Sequence, residues 1–87
     1  MKKSQIKKYP LGAQYPGITF TKKQAECMLH FIAGRSIIST AKAMKISPRT
    51  VEYYLNNMKV KLNCYSKAEL VKKVHATDFM KNIDFTI

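Results

Sequence analysis

The chain has 87 residues, 46% of them apolar, and a net charge of +11 from 16 lysines and arginines against 5 acidic residues. That length allows one small domain at most, and the apolar share excludes wholesale disorder. The charge suits a polyanion, nucleic acid first and an anionic membrane surface second, and it exceeds what solubility alone requires.

Residues 1–19 hold Pro10, Gly12, Pro16 and Gly17 together with Lys2, Lys3, Lys7 and Lys8, and sustain neither a helical nor a strand period. They read as a flexible arm or a linker remnant, from which Tyr9, Leu11, Tyr15 and Ile18 can fold back on the domain. Residues 20–76 form the expected folded unit. They carry eleven basic and three acidic residues, so this part is itself near +8.

A first helix is expected from the capping box Thr21-x-x-Gln24, with Phe20 placed to staple onto Ala25. Ala25, Met28, Leu29 and Ile32 recur at helical spacing, and Gly34 is a natural stop. Ser36 can cap a short second helix whose apolar stripe is Ile37, Ile38, Ala41 and Met44. Lys45 to Ser47 form a tight connection to a third helix, which makes a helix-turn-helix.

The third helix spans 47–62. Ser47 caps it, Pro48 takes the first position where no N–H is needed, and Ile46 can staple onto Val51. Val51, Leu55, Met58 and Leu62 make one narrow apolar stripe. At about 100° per residue, Arg49, Tyr53, Asn56 and Val60 lie opposite, flanked by Glu52 and Lys59 on one side and Asn57 and Lys61 on the other. These are mostly side chains that reach base edges or phosphates, although any amphipathic helix has a solvated face. Asn56 suits an adenine edge, Arg49 guanine or phosphate, and Tyr53 a thymine methyl or phosphate. Glu52 suits cytosine N4 or, alternatively, the helix dipole. Lys59 and Asn57 are candidate phosphate contacts.

A fourth helix follows from Ser66-x-x-Glu69, with Tyr65 placed to staple onto Leu70 and with Leu70, Val71 and Val74 as its stripe. Residues 77–87 are a C-terminal extension whose Phe79, Met80, Ile83, Phe85 and Ile87 show no clear period. They can extend the fourth helix, cover a core edge, or fray.

Other chemistry has little support. Cys27-x-x-His30 puts two metal-ligand types on one face, with Cys64 and His75 elsewhere, but a second ligand pair is missing and no metal or cofactor is expected. Scattered acids and the lack of a glycine-rich phosphate loop argue against an enzyme. No apolar run can span a bilayer and no signal peptide follows Met1, so a cytoplasmic setting without membrane contact is expected. In that setting Cys27 and Cys64 read as buried free thiols.

Four separated segments share order and spacing with one family. They are Phe20-Thr21 with Glu26 and Gly34; Ile46-Ser47-x-x-Thr50-Val51-Glu52; Lys61-Leu62; and Ser66-x-Ala68-Glu69-Leu70-Val71. Over roughly residues 20–74 the chain resembles the LuxR/GerE-type DNA-binding domain. The resemblance implies an all-α, four-helix LuxR/GerE-like bundle that serves as the output domain of response regulators and quorum-sensing receptors. It implies that Glu52, Tyr53 and Asn56 face bases, and that Thr50, Lys61 and also Ser47 or Arg49 meet phosphates. It implies a homodimer formed through Leu70, Val71 and Val74 on double-stranded DNA, with RNA polymerase as a further partner. Departures are Tyr54 in place of a common histidine, Thr40 in place of an aliphatic, and Ile37 and Ile38 in usually polar slots. A rival expectation is a protein-interaction module that pairs through the fourth helix with a longer LuxR-type regulator.

Overall fold

The computed structural model describes residues 8–82. The helices begin where side-chain oxygens meet free backbone N–H groups. Thr21 accepts from the Gln24 amide at 3.2 Å while Gln24 Oε1 accepts from the Thr21 amide at 2.9 Å, a complete capping box for α1 (Lys22–Ile32). Ser36 caps α2 (Ile37–Met44), Ser47 caps α3 (Pro48–Leu62) and Ser66 caps α4 (Lys67–His75). Gly34, at φ +91°, ends α1 as expected, with its amide and that of Arg35 closing on the Phe31 and His30 carbonyls.

The caps at Lys45 and Asn63 are left-handed. Beyond them the amides of Ile46 and Cys64 reach back to the carbonyls of Ala41 and Lys59 at 3.0 and 2.9 Å. These bonds stop α2 and α3 sharply and set the tight turn between α2 and α3.

The core takes Val51, Leu55, Met58 and Leu62 from α3, as the period predicts, together with Ala25, Cys27, Met28 and Phe31 from α1. Two expected positions are corrected. In α2 it is Thr40, at 0% exposure, that lies inside with Ala41, while Ile38 is 59% exposed. The inward set is therefore Ile37, Thr40, Ala41 and Met44, which is the stricter helical spacing. Tyr65 is exposed and does not staple onto Leu70; its amide instead donates to Glu69 Oε1 at 2.9 Å.

From Lys8 onward the segment expected as a flexible arm is ordered, with Tyr9, Leu11, Tyr15 and Ile18 folded back on the core as their apolar character allowed, while residues 1–7 lie outside the described residues. Strand β1 (Lys8–Pro10) pairs antiparallel with β2 (Thr19–Thr21), with Tyr9 opposite Phe20. Tyr9, Leu11 and Phe20 face the core and Lys8 faces solvent. The hydrophobic gain at those three side chains offsets the entropy of ordering the arm.

The C-terminal segment covers a core edge. A short helix α5 (Phe79–Asn82) buries Phe79 edge-on against Phe20, with ring centroids 5.6 Å apart. The Asp78 amide donates to the Leu11 carbonyl at 3.0 Å. Residues 83–87 of the extension lie outside the described residues.

Candidate nucleic-acid interface

Ser47 fixes where α3 starts. Its Oγ accepts from the Thr50 amide at 3.1 Å and shares a hydroxyl hydrogen bond with Thr50 Oγ1 at 2.9 Å. The buried stripe then fixes how α3 is rotated, and the opposite side is left open. Arg49, Glu52, Tyr53 and Asn56 are exposed, Asn57 and Lys59 are half-buried on the flanks, and Val60 extends the open side toward the C-terminal end.

Tyr53 is 63% exposed and leans on the half-buried Tyr54, with ring centroids 5.9 Å apart. Glu52 lies past the first turn of α3, which carries no acidic residue. The helix-dipole reading of Glu52 therefore weakens, because that field is felt mainly within the first turn. No cation pairs with Glu52 among the described residues.

Lys61 is exposed, as a flank position of α3 should be, but its ammonium already has partners within the chain. Its Nζ donates to the Thr19 carbonyl at 2.7 Å and to Gln24 Oε1 at 2.9 Å. Burial and then the neighbouring charge of Lys8 draw its pKa below the usual lysine value. The sequence placed Lys61 on a helix flank but held no sign of its link to Gln24, thirty-seven positions away.

The expected dimer residues divide. Leu70 and Val74 are fully buried in this chain's own core, which withdraws them from any contact with a second copy. Val71 is half-buried and lines a shallow groove with Phe31, Ala68 and Ala76, to which Lys67, Lys72 and His75 also contribute. A stripe read from spacing cannot distinguish a helix's inward side from a second sticky side.

Cys27 and Cys64 are buried thiols. Burial, with Glu26 adding, pushes the Cys27 thiol up to about 11, so it stays protonated and a poor nucleophile. His30 Nδ1 accepts from Arg35 Nη1 at 2.8 Å. Among the described residues no group of three or more His, Cys, Asp or Glu is placed to hold a metal ion.

With this geometry in hand, a family model described as bacterial regulatory proteins, luxR family, matches residues 19–74, more than half of the chain. The chain belongs to the LuxR family. No curated relative and no solved structure matches it. Membership identifies a DNA-binding module of transcription regulators, and the LuxR family is not a family of enzymes. The helix-turn-helix of α2 and α3 is the LuxR-family feature that matters here. No helix among the described residues is long and apolar enough to cross a membrane.

Proposed function

We propose that the domain reads a two-fold DNA site as a homodimer, laying α3 in the major groove of each half-site. The observation that carries this reading is the split of α3 into a fully buried stripe and an open side bearing Arg49, Glu52, Tyr53 and Asn56. Asn56 pairs with an adenine edge, Arg49 with guanine, Glu52 accepts from cytosine N4, and Tyr53 covers a thymine methyl. Ser47, Thr50, Asn57 and Lys59 meet phosphates on either side of the groove and set the register without reading sequence. The second copy seats on the outward face of α4 around Val71, which puts the two α3 helices about one DNA turn apart.

Selection of bound duplexes from a random-sequence pool tests this. Binding should weaken with salt at a slope near −3 to −5 per monomer, for about 3–5 phosphates neutralised. Asn56→Ala should relax preference at a single base position, at a cost of about 1–3 kcal/mol. Selection that yields no preferred sequence, or Asn56→Ala leaving the preference untouched, removes α3 as the reader.

The groove at Val71 also favours a second reading, in which α4 pairs with a longer LuxR-type regulator. Co-purification from cells with Val71→Arg as the control separates the two. A partner retained by a chain without DNA affinity supports the interaction module.

A further inference from the structure

Lys61 fills the slot where the family resemblance implies a phosphate contact, yet two of its three N–H donors already meet the Thr19 carbonyl and Gln24 Oε1. Its ammonium also lies 5.8 Å from the centroid of the buried Phe20 ring. Gln24 is itself buried and its Oε1 also holds the Thr21 amide, so this oxygen joins α3, β2 and the start of α1 at one point. Lys61 is exposed and keeps its third N–H, but swinging it fully out toward a phosphate would break that junction.

The neighbouring cation is better placed. Lys8 stands opposite Thr21 in the hairpin, one residue beyond the inward Tyr9, with its side chain in solvent. Among the described residues no carboxylate pairs with it. The Lys61 contact with Thr19 fixes β2, and therefore its partner strand, beside the C-terminal end of α3. The pKa of Lys61 is drawn down partly by Lys8, which agrees with two cations held close together. Lys8 lies outside residues 19–74, so the family match assigns it nothing.

We infer that Lys8, on the hairpin, makes the DNA-phosphate contact at the C-terminal end of the recognition helix, and that Lys61 is a positioning residue holding the hairpin against α3. This inference rests on the DNA-binding reading above. The cation has in effect moved from the helix to an added strand, and the DNA footprint widens beyond the helix-turn-helix.

The test compares the whole chain with its Lys8→Gln and Lys61→Met variants by fluorescence anisotropy on a short mixed-sequence duplex, between about 50 and 200 mM salt, alongside thermal melts. Lys8→Gln should reduce the salt slope by about 1, weaken selected and random duplexes alike, and leave Tm unchanged. Lys61→Met should lower Tm by several degrees and, because it frees the hairpin that carries Lys8, should reduce the slope only together with that loss of Tm. An unchanged slope in Lys8→Gln overturns the inference, whether or not Lys61→Met folds. A reduced slope in Lys61→Met at wild-type Tm assigns the phosphate to Lys61 instead and also overturns it. If the unmodified chain binds no duplex, the underlying reading fails and the inference with it; if that chain binds and only Lys8→Gln is without effect, the reading stands.

Discussion

Thr40 puts a hydroxyl where α2 meets the core and gives it no hydrogen-bond partner among the described residues. A buried, unpaired hydroxyl costs roughly 1–3 kcal/mol. Thr40→Val keeps the shape and removes the polar atom, so it should stabilise the domain by about 1 kcal/mol, or roughly 4–8 °C in a thermal melt. A lower Tm would mean that the hydroxyl is satisfied in solution. His30 carries the other orphan, its Nε2. Because Arg35 donates to Nδ1, the ring is held neutral, and burial followed by the Arg35 charge moves its pKa down against a smaller opposing effect of Glu26. The unfolded chain therefore takes up the proton first. The contribution of His30 is complete above about pH 6.5 and is lost as pH falls below that value through the lower folded pKa. Tm measured from pH 8 down to about 5 should fall on the acid side, and His30→Leu should flatten that fall. Neither site was legible as strained: Thr40 was marked only by standing where an aliphatic is usual, and His30 only as a metal-ligand type.

Among the elements, helix starts were the most legible, because each depends on one oxygen three residues from an amide. Thr21, Ser36, Ser47 and Ser66 all cap as their spacing predicts. Helix ends were less legible: Gly34 announces itself, whereas Lys45 has no preference for the left-handed region it adopts at φ 61°. Lys45→Gly should relieve that conformation and raise stability by about 0.5–1 kcal/mol, the glycine's added unfolded-state entropy limiting the gain. Denaturant unfolding gives the sign directly, and a loss of stability would mean that the lysine side chain contributes more than its backbone costs. The open side of α3 was legible from the 3.6-residue period alone. The hairpin was not, because strands of three residues with Pro10 in one of them leave too little alternation to read.

For the molecule as a whole, net charge overstates what is available to DNA. Lys67 donates to the Arg35 carbonyl at 2.7 Å and Lys73 to the Leu62 carbonyl at 3.3 Å, so with Lys61 they hold the backbone around the ends of other elements. The phosphate count should therefore follow outward cations rather than the total. Stability in turn depends on segments beyond the family match. Phe79→Ala empties a fully buried site against Phe20 and should cost about 3–5 kcal/mol, a large part of what a domain this small possesses. Melts of that variant check it, and a loss under 1 kcal/mol would show that α5 is dispensable.

Asp78 fits against Gly12 so closely that a Cβ on the glycine, at φ +99°, would stand 2.7 Å from Asp78 Oδ2. That junction closes a ring containing nearly all of the described chain, and it is flanked by the fully buried Leu11 and Phe79, so it cannot open without exposing core. Warming should therefore open both ends of the chain together with the helices, with the Asp78 amide exchanging only as fast as the domain unfolds as a whole. DNA affinity would be lost at the same temperature as the helical signal, in a single step.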